Sequence, residues 1–584
     1  MIMTAKRLLS LALVIIMMLS TLSSLVACDP ADGGEVTTPA GTTVEDGPAD
    51  ADRTITLFEN GQWTFQVVRH SKLTTVEESA SINFRTTIGK VVDGNPKLTF
   101  ARDNLKEGET YDKDSLEIYY GNTLHPEMKE FIPTVGLGEA AVKVVGNKIL
   151  IYSNSYDGYD RVSAMFARVF AENYKDGKIV VKVSDIEDTL VINSTLNEIP
   201  SPDGVALTYS ENCEYNQSIL IFEDATPDVY KNYVKKFTEF TEIQSVESAG
   251  NYFKTYKKGA DLFNVSYSKG DDNLRVIVNR NTAPTKYFEK PASVEQKATP
   301  MILMHGLADS GDEDYQNGLC MLIRLSDGRF IVIDGGFNRQ SDADKLYSLL
   351  KKHTPSGMKP TVAAWIITHA HGDHHATFAS KFVYSYKTVV DIQSLIFNPP
   401  SAGINRNPDS EGSGYKNVVS VAQGIQGCEW IRAHVGDKYY VGDAVIDVIY
   451  SVDQMYPTTF TYYNTCSLIL SIEIAGQRFM MTGDAANVSF QKAVKMFGDT
   501  LKCDIVQVAH HGYGTGVSDE AATSIIQAYK YMSPSLVLWP IGNGGYNSVK
   551  NRVYNQTLAN LPSVKKIIVA RNADHIVDLP FKGE

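Results

Sequence analysis

Histidine is nearly absent from the first half of the chain: of twelve in 584 residues, only His70 and His125 precede residue 296. Imidazole-based metal or proton-transfer chemistry is therefore expected in the C-terminal half. Cysteine is sparse as well. The six cysteines are scattered and form no C-x-x-C pair, so neither a disulfide framework nor a zinc knuckle is indicated. Positive charge is in deficit, with 55 Lys and Arg against 68 Asp and Glu and a net charge of −13, which disfavours a nucleic-acid-binding surface short of a local basic groove. What is present, 43% hydrophobic and 21% charged residues, is the composition of globular protein, and 584 residues exceed one ordinary core, so several domains are expected.

Residues 1–28 depart from that composition. Lys6 and Arg7 precede an apolar run from Leu8 to Leu19, and small and apolar residues then lead to Leu25, Val26, Ala27 and Cys28. This pattern reads as a secretory signal, too short and too closely followed by a cleavage pattern for a stable membrane span. The ending "LVAC" resembles a bacterial lipobox, which implies cleavage before Cys28 and lipid on it; an ordinary signal peptide with a chance cysteine is the alternative. Residues 29–53 are rich in Asp, Gly, Pro and Thr without a sizeable apolar cluster, and are expected as a flexible tether. On this reading the protein sits outside the cytoplasmic membrane, anchored to its outer face through Cys28.

The expected fold class is α+β multidomain: two small α+β domains, 54–198 and 203–282, a linker at 283–299, and a larger unit at 300–584. In the first, "AVKVVGNKILIYSN" is two alternating runs hinged at Gly146-Asn147, a hairpin signal. "DRVSAMFARVFAENY" spaces Val162, Met165, Phe166, Val169 and Phe170 as one helical face. In the second, Thr226-Pro227 reads as a helix cap, and Val229, Tyr233, Phe237 and Phe240 continue one apolar face. Three strands follow: "NYFKTYKK", "LFNVSYSK" and "LRVIVNR".

In the third unit each polar cluster lies where an apolar strand stops. "FIVIDGG" ends at Asp334, "VAAWIITHAHGDHHA" runs into four histidines, "RFMMTGD" ends at Asp484, and "CDIVQVAHHG" ends at His510 and His511. If these strands share a sheet edge, their ends converge where α/β folds place their sites. His369 and His371, two apart on an extended turn, can hold one ion, while Asp373 and His374 point to a second. Asp484 can bridge the two and His510 complete the latter. Imidazole and carboxylate suit Zn²⁺, and also Mn²⁺ or Fe²⁺.

H-x-H-x-D-H at His369, His371, Asp373 and His374, preceded by "DGG" and followed by "TGD" and "AHHG", resembles the metallo-β-lactamase superfamily. Within it, order and spacing resemble the branch of competence-protein hydrolase domains and the phosphorylcholine esterase of teichoic acid. The resemblance implies an αββα sandwich with a dinuclear site at one sheet edge. It also exposes a departure, because many members place a third histidine for the first ion between the cluster and the bridging aspartate. Here that interval holds only His434, whose context reads as a surface turn. "NTCSLILSIEIAGQRFMMTGD" resembles the competence-type pattern, in which an Asn near the missing ligand, here Asn464, coordinates, contacts substrate or caps a loop. Residues 116–174 resemble the small N-terminal domain of some carbohydrate-active enzymes such as α-glucuronidases, which suggests fold and no catalytic residue.

The remaining candidates read as follows. His375 is expected to point away from the ligand face, and His575 to lie in a terminal strand. His511 is an alternative ligand to His510 or a phosphate donor. "GNGGYNS" is expected as a glycine-rich turn; the alternative is a loop whose backbone N–H groups and Tyr546 meet an anion. The function expected is a metal-dependent hydrolase of phosphodiester or related ester bonds, acting through a metal-activated water that Asp373 orients, on an envelope polymer or small ester. Lactam or lactone hydrolysis, and an inactive glycan-binding surface protein, are the alternatives.

Overall fold

A computed structural model of the chain describes residues 53–583, apart from 74, 105–109, 206, 282–284, 308–317, 402–403, 405–413, 515–517 and 519–520. The leader, the tether and Cys28 lie outside the described residues. The fold is mixed α/β, and the described strands form five sheets. No described helix is long and apolar enough to cross a membrane, and the five described cysteines are free.

In the N-terminal region the strands Gln66–Arg69, Phe100–Arg102, Glu117–Tyr120 and Lys148–Ser153 run parallel to one another. Glu139–Val145 closes a hairpin on Lys148–Ser153 through Gly146, whose φ of 55° places it in the left-handed region. Period-2 alternation divides the sheet into two buried faces. Val67, Ile118, Tyr120 and Ile149 pack on Phe84, Ile88, Phe166 and Phe170 of the helices Thr75–Gly89 and Tyr156–Asn173. Val68, Tyr119 and Leu150 meet Met128 and Phe131 of the short helix Pro126–Phe131.

The next sheet is antiparallel, in spatial order Leu207–Cys213, Gln217–Phe222, Asn273–Asn279, Asp261–Ser268, Asn251–Lys258 and Thr241–Ser248. Thr226 caps the helix Pro227–Tyr233 by accepting the Val229 N–H at 3.3 Å. The helix is shorter than the apolar spacing predicts. It tightens to a 3₁₀ turn at Val234–Lys236, and Phe237 reaches Tyr233 and Tyr256 from beyond it. Thr241–Ser248 is a further strand that the sequence pattern does not reveal, since its residues are half or fully exposed and carry little apolar alternation. One face of the sheet is covered by its own helix. The other sends Ile219, Ile221, Phe253 and Ile277 into the core of the C-terminal region.

That region contains two facing sheets. Ile302, Ile323, Ile331, Ile333 and Ile366 of one join Ile446, Val448, Leu470, Ile472, Phe479 and Leu538 of the other in one apolar layer. Residues of the opposite parity, among them Val332, Trp365, Met480, Val506 and Val537, turn outward against Leu346, Phe378, Phe490, Ile525 and Tyr529 of flanking helices. The order is helix, sheet, sheet, helix. Phe330–Asp334 runs parallel to Thr361–Ile366, and Gln477–Met481, Ile505–Gln507 and Leu536–Trp539 run parallel in the second sheet. His575 starts the strand His575–Asp578, which pairs with Met301–Met304.

Candidate metal centre

Strands of both sheets end at this site. Asp334 terminates its strand with φ 55° and is fully buried. Its Oδ1 accepts the Thr368 N–H at 2.8 Å, and its Oδ2 accepts the Thr368 hydroxyl at 2.7 Å and His374 Nδ1 at 2.8 Å. The carboxylate thereby selects the Nδ1–H tautomer of His374 and aims Nε2 the other way. His374 belongs to the helix Gly372–Thr377, which begins at His371.

From the second sheet, Thr482 and Gly483 lead to Asp484. Gly483 has φ 52°, and a Cβ there would lie 2.9 Å from Thr368 Cβ, so only glycine lets the two strand ends approach this closely. Asp484 is buried and its N–H donates to Ser467 Oγ at 3.1 Å. The next strand delivers His510 and His511, both with left-handed backbone at φ 47° and 51°, a strain of about 1–3 kcal/mol each. His511 Nδ1 donates to the Pro540 carbonyl at 2.6 Å, and the Trp539 indole donates to the His511 carbonyl at 2.7 Å.

Two imidazoles are thus held through Nδ1 with Nε2 directed at one carboxylate. His374 Nε2 lies 3.3 Å from Asp484 Oδ2, and His511 Nε2 lies 3.6 Å from Asp484 Oδ1. His374 Nε2, His511 Nε2 and Asp484 Oδ1 are all buried and have no hydrogen-bond partner. Such atoms cost free energy unless a cation joins them, and this donor set fits a divalent ion of the Zn²⁺, Mn²⁺ or Fe²⁺ kind. Among the described residues, two groups have ligand atoms within 4.8 Å of one another: His369, His374 and Asp484, and Asp373, His374 and His511. Burial works to raise the Asp484 carboxyl, but His374, His511 and His510 outweigh it and hold it well below the usual carboxylate range. Burial works to lower His374, and Asp484, Asp373 and Asp334 overcome it, raising the imidazole well above its usual value. His369 is pushed well below it, first by burial and then by His374 and His371.

The other expected residues surround this core. His371 meets His369 Nε2 through Nδ1 at 2.8 Å and lies edge-on to Tyr463, ring centres 5.6 Å apart. It belongs to neither group. His510 Nε2 is 3.8 Å from Asp484 Oδ2, on a side chain 26% exposed; His511, not His510, enters the second group. Asn464 is buried in the 3₁₀ turn Tyr463–Cys466, next to the Tyr463 that stands edge-on to His371, and its Nδ2 has no hydrogen-bond partner. His375 is buried and, chiefly by desolvation, its pKa falls to about 4. "GNGGYNS" is not a turn: Asn543–Val549 is a helix, with the Tyr546 N–H donating to the Gly542 carbonyl at 2.9 Å. The Tyr546 ring stands edge-on to Trp539 at 5.0 Å, one layer behind His511.

His434 corrects the surface reading. It is 2% exposed, with Nδ1 donating to Asp453 Oδ2 at 2.6 Å and Nε2 accepting from Asn279 Nδ2 at 2.7 Å. The sheet that ends at Asn279 covers what a local reading takes for solvent-facing chain. The sequence places Asp334 at a strand end but does not show its hold on His374, nor the roles of Thr368, Ser467 and Pro540, which depend on contacts across the fold.

No family description matches the chain, and no curated protein matches it. Among solved structures, the chain is similar to the metallo-β-lactamase fold protein YhfI from Bacillus subtilis, at 12% identity and a TM-score of 0.31, covering 48% of this chain and all of that one. It is also similar to CmlA, a diiron β-hydroxylase from Streptomyces venezuelae, at 10% identity and a TM-score of 0.29, covering 48% of this chain and 54% of that one. A protein of unknown function from Enterococcus faecalis V583 gives 12% identity and a TM-score of 0.23. Likenesses at this level assign no activity to the chain.

Proposed function

We propose that the C-terminal region is a metal-dependent hydrolase of the metallo-β-lactamase type, splitting phosphodiester or related ester bonds. The observation that carries this reading is the buried set of unpartnered ligand atoms, His374 Nε2, His511 Nε2 and Asp484 Oδ1, gathered around one carboxylate. The order of HAHGDHH, TGD and AHHG along the chain adds to it. His369, His371, Asp373, His374, Asp484 and one of His510 and His511 would hold one or two divalent ions. When bound, such an ion supplies Lewis acidity and acidifies water at neutral pH.

The chain's own residues supply the rest. Asp334 and the Pro540 carbonyl orient the two imidazoles, so the site needs little reorganisation. Asp373, 22% exposed and 3.8 Å from His374 Nε2, is placed to accept a proton at its carboxylate on the open side. Asn464 offers an amide to a substrate oxygen. The leader and the "LVAC" sequence favour an envelope polymer as substrate, outside the membrane.

Turnover of bis(p-nitrophenyl) phosphate by purified protein with added Zn²⁺ or Mn²⁺ tests the activity. Its absence with every metal and an intact fold sinks the proposal, and rapid opening of nitrocefin moves the substrate to lactams. Cys28→Ser tests the anchor: it leaves the protein out of the membrane fraction, whereas unchanged fractionation rejects the lipid.

A further inference from the structure

We propose that the N-terminal region carries a second binding site, for an oxyanion of an acidic polymer, built from Arg69, Arg85 and Arg102 around Phe100. This site is independent of the metal centre. Arg69 and Arg102 are direct cross-strand partners at the C-terminal ends of two parallel strands, the second of them at the sheet edge. Like charges directly opposite each other on neighbouring strands destabilise a sheet. Arg85, from the helix Thr75–Gly89, adds a third positive charge: its guanidinium carbon lies 4.7 Å from the centre of the Phe100 ring, and that of Arg69 lies 3.8 Å from it.

The hydrogen bonds within the group do not neutralise it. Arg69 donates to the Ser81 hydroxyl at 3.1 Å, and its Nε is buried without a hydrogen-bond partner. Arg102, exposed, donates to the carbonyls of His70 at 3.2 Å and Ser71 at 3.4 Å. Among the described residues the charged groups acting on Arg69 are Arg102, Arg85 and one carboxylate, Glu78, and burial together with the two arginines lowers its pKa. At Arg69, two neighbouring guanidiniums thus stand against a single acid. Elsewhere in the same region arginines are paired one helical turn away: Arg161 with Asp157 at 3.2 Å and Arg168 with Glu172 at 3.9 Å.

In a chain of net charge −13, a clustered excess of arginine is not a general basic surface. Guanidinium planes stacked on an aromatic ring keep their N–H edges free to meet oxyanions in a fork, which a lysine cannot do. The C-terminal ends of parallel strands are also where open α/β sheets bind ligands. Phosphate and sugar carboxylate share this chemistry. Among the described residues Phe100–Arg102 is the last strand of its sheet, and a polymer would present several such groups to it in succession.

The test uses full-length protein stripped of metal by chelator, so that the C-terminal centre does not compete for phosphate. Binding of polyphosphate and of polygalacturonate is measured by isothermal titration calorimetry at low and at physiological salt. Retention of polyphosphate alone assigns phosphate, and of polygalacturonate alone assigns carboxylate. The double variant Arg85→Gln, Arg102→Gln should bind at least about ten-fold more weakly, and Arg85→Lys should fall between it and wild type. Lys143→Gln with Lys182→Gln, an equal charge change elsewhere in the region, should bind as wild type does. Wild type that binds neither polymer, or a control variant weakened as much as the arginine variant, overturns the proposal.

Discussion

Two buried histidine–aspartate arrangements in the C-terminal region use the same residue types and differ in how their second ring nitrogen is treated. At His434 both nitrogens are engaged, Nδ1 by Asp453 and Nε2 by the Asn279 amide. Asp453 Oδ2 also accepts Ser451 and Asn398, and the Asp453 carbonyl accepts the Arg275 guanidinium from the neighbouring sheet. At His374, Asp334 engages Nδ1, but Nε2 has no partner and confronts Asp484. The first arrangement joins two sheets; the second leaves a buried ring nitrogen without a hydrogen-bond partner, facing a carboxylate. Burial alone does not separate them, since His434 is 2% exposed and His374 0%. Partner count does.

The comparison predicts opposite phenotypes. Asp484→Asn should lower phosphodiester turnover by about 10³-fold or more and abolish metal retention, while the protein still unfolds cooperatively. Elemental analysis beside kinetics checks this, and wild-type metal content in the variant would break the contrast. Asp453→Ala should do the reverse. It leaves His434, Ser451 and Asn398 buried without their shared acceptor and removes the carboxylate charge near Arg275, a loss of about 3–5 kcal/mol in urea unfolding, with metal per folded molecule retained. Asp334→Asn lies between them: it keeps the shape but loses an anionic acceptor for His374, so metal affinity should fall about 10–100-fold in competition with a chromophoric chelator.

The smallest effect concerns pH. Burial works to raise the Asp453 carboxyl, but His434, with Ser451 and Arg275, outweighs it and lowers it. A carboxyl lowered by folding contributes stability that is present above its unfolded value, about 3.9, and is lost as pH falls through the folded value. The thermal midpoint of wild type should therefore drop as pH goes below about 4, and that of Asp453→Asn should be flatter over the same interval. Parallel curves would remove the role assigned to the pair.

Much of the scaffold is legible because its signals are local. The hinge at Gly146-Asn147, the Thr226 cap, and the apolar runs that stop at Asp334, at the histidine cluster, at Asp484 and at His510 all lie within a few residues of the structure they specify. Legibility ends where local composition competes with tertiary context. The segment Thr241–Ser248 is a strand because it pairs with Asn251–Lys258, not because it alternates. The segment Asn543–Val549 is a helix despite two glycines, with Gly545 packed against Tyr513 and Ile541.

The sequence by itself determined which residues are available to a metal centre and that they lie at strand ends, since both follow from residue type and short-range periodicity. Tertiary structure alone decided which of them converge. The Asp334–His374 bond spans 40 residues, His511–Pro540 spans 29, and the bond that marks His434 as structural spans 155. A ring nitrogen becomes a ligand or a strut according to the group opposite it. That group is set by the packing of sheets distant in sequence, which no local pattern encodes.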